Sequence, residues 1–259
     1  MWQALLYGSA VGLSLGLTEG GGSILAVPLL VYGLGFEFRQ AVALSLAIVG
    51  TTSLYGAILQ RRQGLVLWKH GAALGIGGII GVPFGASLGA TISERASLIL
   101  FAFLMSYIAI RMLFPSRGPS TPRWIQCSAR PHDHGARMRC LAKLTVAGFA
   151  TGILSGLFGV GGGFLLIPAL MGVAQVAIQY AMATSLVAIV IISSSGLLSN
   201  WPALVHIPPI IPAVFLAGSA LGMTIGSSVK SRCSPRVLQI VFGCGVLATA
   251  VFVLLRNVS

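Results

Sequence analysis

Long apolar runs, broken by short clusters of charge, proline or glycine, set the pattern of this chain. In the first half they fall at about residues 2 to 17, 23 to 34, 41 to 59, 70 to 92 and 96 to 114. In the second they fall at about 144 to 158, 164 to 175, 177 to 199, 207 to 229 and 236 to 255. The runs are continuously apolar and do not alternate, which predicts helices and argues against the strands of a barrel. Residues 115–143, rich in Pro, Arg, Ser and His, read as a solvated basic linker between an N-terminal unit, 1–114, and a C-terminal unit, 144–259.

The two units repeat each other at a constant offset. Gly12, Gly16, Leu17, Gly21, Gly22, Leu25, Pro28, Ala41, Ala43, Ser45, Leu46 and Gly56 recur 140 residues later as Gly152, Gly156, Leu157, Gly161, Gly162, Leu165, Pro168, Ala181, Ala183, Ser185, Leu186 and Gly196. After a one-residue slip, Gly81, Gly85, Ser87, Ser93 and Arg95 face Gly222, Gly226, Ser228, Ser234 and Arg236. The chain is therefore a duplicated five-segment unit.

Composition fixes the class. Of 259 residues 56% are hydrophobic and 8% charged, and the mean hydropathy is +0.96, far from the roughly 45–50% apolar and ~25% charged residues of soluble domains. From Leu144 to Val229 there is no Asp, Glu, Lys or Arg, several times the ~20 residues that one spanning helix needs. An all-α polytopic membrane protein is expected, embedded in the lipid bilayer of the cell inner membrane. Met1-Trp2-Gln3 lacks a basic n-region, so the first run is expected to stay in the mature chain.

The net charge of +12 raises nucleic acid as a partner, but the basic residues sit in clusters between apolar spans and read as topology signals, so none is expected. Lys and Arg in short loops favour the cytoplasm. If each unit crosses an odd number of times with the linker inside, Arg61, Arg62, Lys69, Arg111, six linker residues, Lys230, Arg232 and Arg236 lie inside, 13 of the 16 basic residues, leaving Arg39, Arg95 and Arg256 outside. Four crossings per unit leave only 11 inside. Inverted repeats with both termini outside fit better. Cys127, Cys140, Cys233 and Cys244 form no CxxC pair, and reduced thiols are expected.

The chemistry concentrates where each unit is interrupted by glycine. Gly20-Gly21-Gly22-Ser23 precedes Pro28, and Gly161-Gly162-Gly163 precedes Pro168. The segment after each break has twelve residues, 23 to 34 and 164 to 175, and at ~1.5 Å per residue spans about 18 Å, short of the ~30 Å hydrocarbon layer. Each unit is thus expected to hold a Gly-broken hairpin or helix pair plus three spanning helices. Glycine permits unusual φ and close approach, and a helix starting after it aims free N–H groups at the turn, so an anion is the natural occupant. Short broken segments in corresponding places of two halves also point to a transporter's substrate site. Gly12/Gly16 and Gly152/Gly156 read instead as helix-packing positions.

Hydroxyls supply the other polar lining. Ser45, Thr51, Thr52 and Ser53 in the third run, and Thr184, Ser185, Ser193, Ser194 and Ser195 in its repeat, share helical faces. The competing reading of each is a back-bond to a carbonyl one turn earlier; Ser45, Thr184 and Ser185 are taken as site lining. Glu19, the one acidic residue inside an apolar span, is a candidate for proton coupling, with a tolerated substitution or a structural hydrogen bond as the other readings. No catalytic set, no Walker lysine and no finger-like metal spacing is present, so no enzyme activity, cofactor or metal is expected.

The stretch Gly16-Leu17-Thr18-Glu19-Gly20-Gly21-Gly22-Ser23-Ile24-Leu25-Ala26-Val27-Pro28 with Ala43-Leu44-Ser45-Leu46, and its echo from Gly156 to Pro168 with Ala183-Thr184-Ser185-Leu186, resembles the sulfite exporter TauE/SafE family over nearly the whole chain outside the linker. The resemblance implies a secondary membrane transporter of small sulfur-containing anions, such as sulfite or an organosulfonate, and an exporter. An anion channel or a membrane-embedded sulfur-relay subunit are the alternatives. Similar sequences usually carry Gly where this chain has Glu19. The choice between monomer and homodimer is left open by the sequence.

Overall fold

In the computed structural model of the chain, the described residues are 2–18, 24–61, 64–113, 134–158, 163–174, 176, 178–204, 207–230, 240, 244 and 247–255. Among them every regular element is a helix: α1 (Trp2–Thr18), α2 (Ala26–Pro28, prolonged by the π-helical turn Leu29–Gly33), α3 (Phe38–Arg61), α4 (Trp68–Thr91), α5 (Glu94–Leu113), α6 (His134–Phe158), α7 (Gly163–Val173), α8 (Ile178–Ser199), α9 (Trp201–Leu204) and α10 (Ile210–Lys230), followed by helical residues 247–255. Phe38–Arg61, Trp68–Thr91, Met138–Phe158, Gln179–Ser199 and Ile210–Val229 are each long and apolar enough to cross a membrane. The polytopic helical class expected from the sequence is the one found.

α6 starts at His134, so residues 134–143, taken above as linker, are helical. Their Ala, Arg, Met, Leu and Lys are good helix formers, and charge does not prevent a spanning helix from continuing past the apolar layer. Cys140 is disulfide-bonded, contrary to the expectation of reduced thiols. Sequence spacing does not register pairing that depends on how close two Cα atoms come in space. Cys244 is a free, exposed thiol.

The two short helices end alike. After α2, Gly35 turns the chain at φ 74°, its N–H donating to the Val31 carbonyl at 3.1 Å and that of Phe36 to Leu30 at 3.2 Å. After α7, the N–H of Ala174 donates to Leu170 at 3.1 Å and that of Val176 to the same carbonyl at 3.5 Å. Leu30 and Leu170, like Phe36 and Val176, are 140 residues apart. Both turns release the chain into a central helix, α3 or α8, whose first residues, Phe38 and Ile178, keep the same offset.

The most extensive helix pairs are α4 with α6 and α1 with α10. Each joins a helix of one unit to a helix of the other. In lipid, apolar side chains gain little by leaving one apolar solvent for another, so helices associate through close packing, and small residues four apart let backbones touch. A Cβ on Gly12 would land on the Ser219 carbonyl, and one on Gly81 on that of Phe149. Gly8, Gly12 and Gly16 of α1 meet Phe215, Ser219 and Met223 in turn, so α1 and α10 run parallel; Gly77, Gly81 and Gly85 meet Thr145, Phe149 and Ile153, so α4 and α6 do too. The contacts are reciprocal: Gly218, Gly222 and Gly226 sit on α1, and Gly148, Gly152 and Gly156 on α4. Gly12, Gly16, Gly152 and Gly156 therefore have the packing role read from their spacing.

The repeat-equivalent helices α3 and α8 meet each other. Gly196 lies against Leu46, Gly50 against Ser193, and Gly56 against Leu186, so residue numbers rise on one as they fall on the other and the helices are antiparallel. α10 runs with α3, through Thr52 to Ser219 and Gly56 to Met223. α4 runs with α8, through Gly75 to Ile191 and Ile79 to Ser195. Thus α1, α3 and α10 share one direction, and their repeat equivalents α6, α8 and α4 share the other.

Close backbone approach makes a graded prediction. Gly12→Ala, aimed at a carbonyl, is expected to lower stability by more than the about 1–3 kcal/mol typical of overpacking. At Gly89 the nearest neighbour is the flexible tip of Leu157 at 3.3 Å, and Gly89→Ala is expected to be near neutral. Thermal unfolding in detergent checks the order, and equal effects would remove the backbone contact as the cause.

Candidate functional site

The glycine runs lie in sequence between α1 and α2 and at the junction of α6 with α7. Glu19, Gly20, Gly21, Gly22, Ser23, Gly161 and Gly162 lie outside the described residues. Of the triple-glycine runs Gly163 is described; it is buried and opens α7. Ile24, Ala26, Val27 and Leu30 on one side, and Phe158, Leu166 and Leu170 on the other, are buried, so each short helix turns one face into the protein, where irregular backbone in a membrane can be covered.

Ser45 and Ser185 occupy matching places on α3 and α8, each fully buried. The Ser45 hydroxyl donates to the Val42 carbonyl at 2.8 Å and the Ser185 hydroxyl to that of Met182 at 2.7 Å. Two hydroxyls in one rotameric arrangement, one per unit, show the repeat reaching side-chain level. These are the bonds of the competing reading, a hydroxyl donating to a carbonyl one turn earlier on its own helix.

Thr184 has a more specific partner. Its Oγ1 accepts the N–H of Leu67 at 3.0 Å, and Leu67 is the N-cap of α4, with no cap from its own side chain. The first N–H groups of a helix have no partner within it, so Thr184 of α8 holds the start of α4. This role was not read from the sequence; only a loop brings Leu67 to α8. Repeat position 44 carries Leu, so the threonine belongs to one unit alone.

Thr52 and Ser219 form a buried pair between α3 and α10, Oγ1 to Oγ 2.9 Å. Thr52 also reaches the Ile48 carbonyl at 2.7 Å and Ser219 that of Leu216 at 2.9 Å. Two protons serve three contacts, so one hydroxyl donates to its own helix and the other to its neighbour. Thr51 and Ser194 back-bond within their helices. Ser195 donates across to the Ile79 carbonyl at 3.2 Å.

At the rim, Arg39 at the start of α3 donates from Nη2 to the Ala90 carbonyl at 2.7 Å. A guanidinium is favourable at the negative end of a helix, and this contact ties α3 to the far end of α4. On the repeat side, Asn200 closes α8 through Nδ2 to the Gly196 carbonyl at 2.9 Å. Trp2, Trp68 and Trp201 are exposed near helix ends, as expected of interfacial anchors.

The model of the family described as sulfite exporter TauE/SafE matches residues 4–253. A probable membrane transporter protein of Xylella fastidiosa is 32% identical over 255 residues, covering 96% of this chain and 93% of the relative. The probable membrane transporter protein YdhB of Bacillus subtilis is 27% identical over 186 residues, covering 72% and 73%. One from Methanocaldococcus jannaschii is 26% identical over 270 residues, covering 97% and 94%. No solved structure matches the chain.

A double-mutant cycle tests the buried pair. Thr52→Val with Ser219→Ala is expected to show a coupling of about 0.6 kcal/mol, the usual size of interhelical hydrogen bonds in membranes. Strict additivity in unfolding measurements would mean that the two hydroxyls do not bond.

Proposed function

The chain belongs to the sulfite exporter TauE/SafE family, and on that premise we propose that it is a secondary transporter carrying a small sulfur-containing anion, sulfite or an organosulfonate, out of the cell. The family and the relatives make it a multi-pass membrane transporter; the anion, the outward direction and a bacterial inner-membrane location are the finer reading.

The antiparallel contact of α3 with α8 carries this reading. Repeat-equivalent helices running in opposite directions support two inverted units, and in such carriers the substrate lies where the units meet. A pair of units packed this way offers two arrangements of similar energy, related by exchange of their conformations, and the site is open to one side in each. The buried hydroxyls of α3 and α8 line that meeting place, and the glycine turns of residues 20–22 and 161–163 supply backbone N–H donors to an anion in this reading. Glu19 is the group through which a proton is coupled, if one is.

Reconstituted protein is expected to accumulate labelled sulfite or sulfonate against excess unlabelled anion on the other side. Such counterflow requires alternating states; flux without counterflow would make the protein a channel, and no flux would end the anion reading. Gly21→Val and Gly161→Val are expected to abolish transport while still inserting in the membrane, and normal affinity in both would return the glycines to a packing role.

The charge distribution sets the topology. Met1 and Ser259 are expected outside and residues 115–143 inside. A cysteine introduced at Ser120 is expected to react with an impermeant reagent only after the cells are permeabilised; reaction in intact cells overturns this orientation.

A further inference from the structure

α3 and α8 between them carry six fully or nearly fully buried hydroxyls: Ser45, Thr52 and Ser53 on α3, and Thr184, Ser185 and Ser193 on α8. Four have protein partners, as described above. Ser53 and Ser193, 0% and 1% exposed, have none. A serine in a membrane helix ordinarily donates to a carbonyl one turn earlier, as Ser45 and Ser185 do on these same helices. That option is available to Ser53 and Ser193 too, and neither takes it. A buried hydroxyl without a partner is costly, and two such groups stand at one repeat position, 140 residues apart.

Their placement is specific. Ser193 lies against bare backbone of α3: a side chain at Gly50 would stand 2.9 Å from Ser193 Cβ and 3.7 Å from its Oγ. Because α3 and α8 are antiparallel with Gly50 level with Ser193, Ser53 stands three residues, about 5 Å, further along the axis. One oxygen accepting from two hydroxyls at about 2.8 Å each reaches across such an axial separation. Their neighbours along the same helices, Val49, Ile189 and Ile192, are fully buried, and no Lys or Arg occurs on α8 or on α3 between Arg39 and Arg61. Neutral donors in a dry setting suit a small oxyanion that must also leave.

We propose that Ser53 and Ser193 form a hydroxyl pair that binds an oxyanion where α3 meets α8, one donor from each unit. The choice of oxyanion rests on the sulfur-anion reading above; the existence of the pair does not. Because both units contribute the same residue at the same position, exchange of conformations between the units leaves the pair equally able to serve the substrate from either side.

The full-length protein carrying Ser53→Ala, Ser193→Ala or both tests this. With no protein partner to lose, each variant is expected to melt without ligand at or above the wild-type temperature. Affinity for sulfite or for a small sulfonate is expected to fall about tenfold in each single variant and further in the double, as for hydrogen bonds to a charged group. Unchanged affinity in the double variant overturns the proposal, and so does a lower melting temperature in both single variants, which would make the hydroxyls structural. If the wild type binds neither probe, the sulfur-anion reading fails, and the pair is judged by labelling instead. Ser53→Cys and Ser193→Cys in membranes are expected to react, above the wild-type background, faster with an anionic methanethiosulfonate than with a cationic one. Equal rates, or no reaction above background, overturn it.

Discussion

Everything in this fold hangs on helix backbones touching at glycine faces. In water the burial of apolar surface would hold the helices together, but between lipid chains that term nearly vanishes and close van der Waals packing must replace it. Glycines four residues apart on α1 and α10, and on α4 and α6, bring carbonyls of one helix onto Cα atoms of the next. A methyl group on either side pries such a contact apart. Because each pair joins one unit to the other, the first helix of the N-terminal unit has its main partner in the C-terminal unit, and the converse holds for α6. The units are interlocked, and neither retains its principal contacts alone.

This interlock places α3 and α8. With α1·α10 on one side and α4·α6 on the other, the two repeat-equivalent helices meet between them, α3 supported by α10 and α8 by α4. The outer pairs are closed by glycine against backbone, and their helices also bury Ser14, Thr151, Ser155 and Ser219. The inner pair meets through side chains instead, Leu46 against Gly196, Ser193 against Gly50 and Leu186 against Gly56.

Much of this was legible in the sequence, because glycine leaves a period. The 140-residue offset, the broken short segments and the packing role of Gly12, Gly16, Gly152 and Gly156 could be read directly, since each depends on spacing along one helix. Which helix receives which glycine face could not, because the sequence carries no record of partners across a bundle. Thr184 shows the same limit: its spacing put it on a polar face, but its partner is the N–H of Leu67, brought there by the turn before α4. The start of α6 at His134 was missed because apolar content marks the membrane layer and does not mark where a helix begins.

Ser53 and Ser193 had a signal that went unused. They keep the 140-residue offset as faithfully as Ser45 and Ser185 do, yet residue type alone cannot distinguish a serine that back-bonds from one that does not. The four serines differ only in where the hydroxyl finds its acceptor. Ser45 and Ser185 find it on their own helices. Ser193 lies against Gly50 of α3 and Ser53 follows Gly50 by three residues, and adopting the same internal bond would have given each a partner. Duplication explains why the two share an environment, but it does not supply a partner to either. Two buried hydroxyls without a protein partner at one repeat position are the observation on which the proposed oxyanion pair rests.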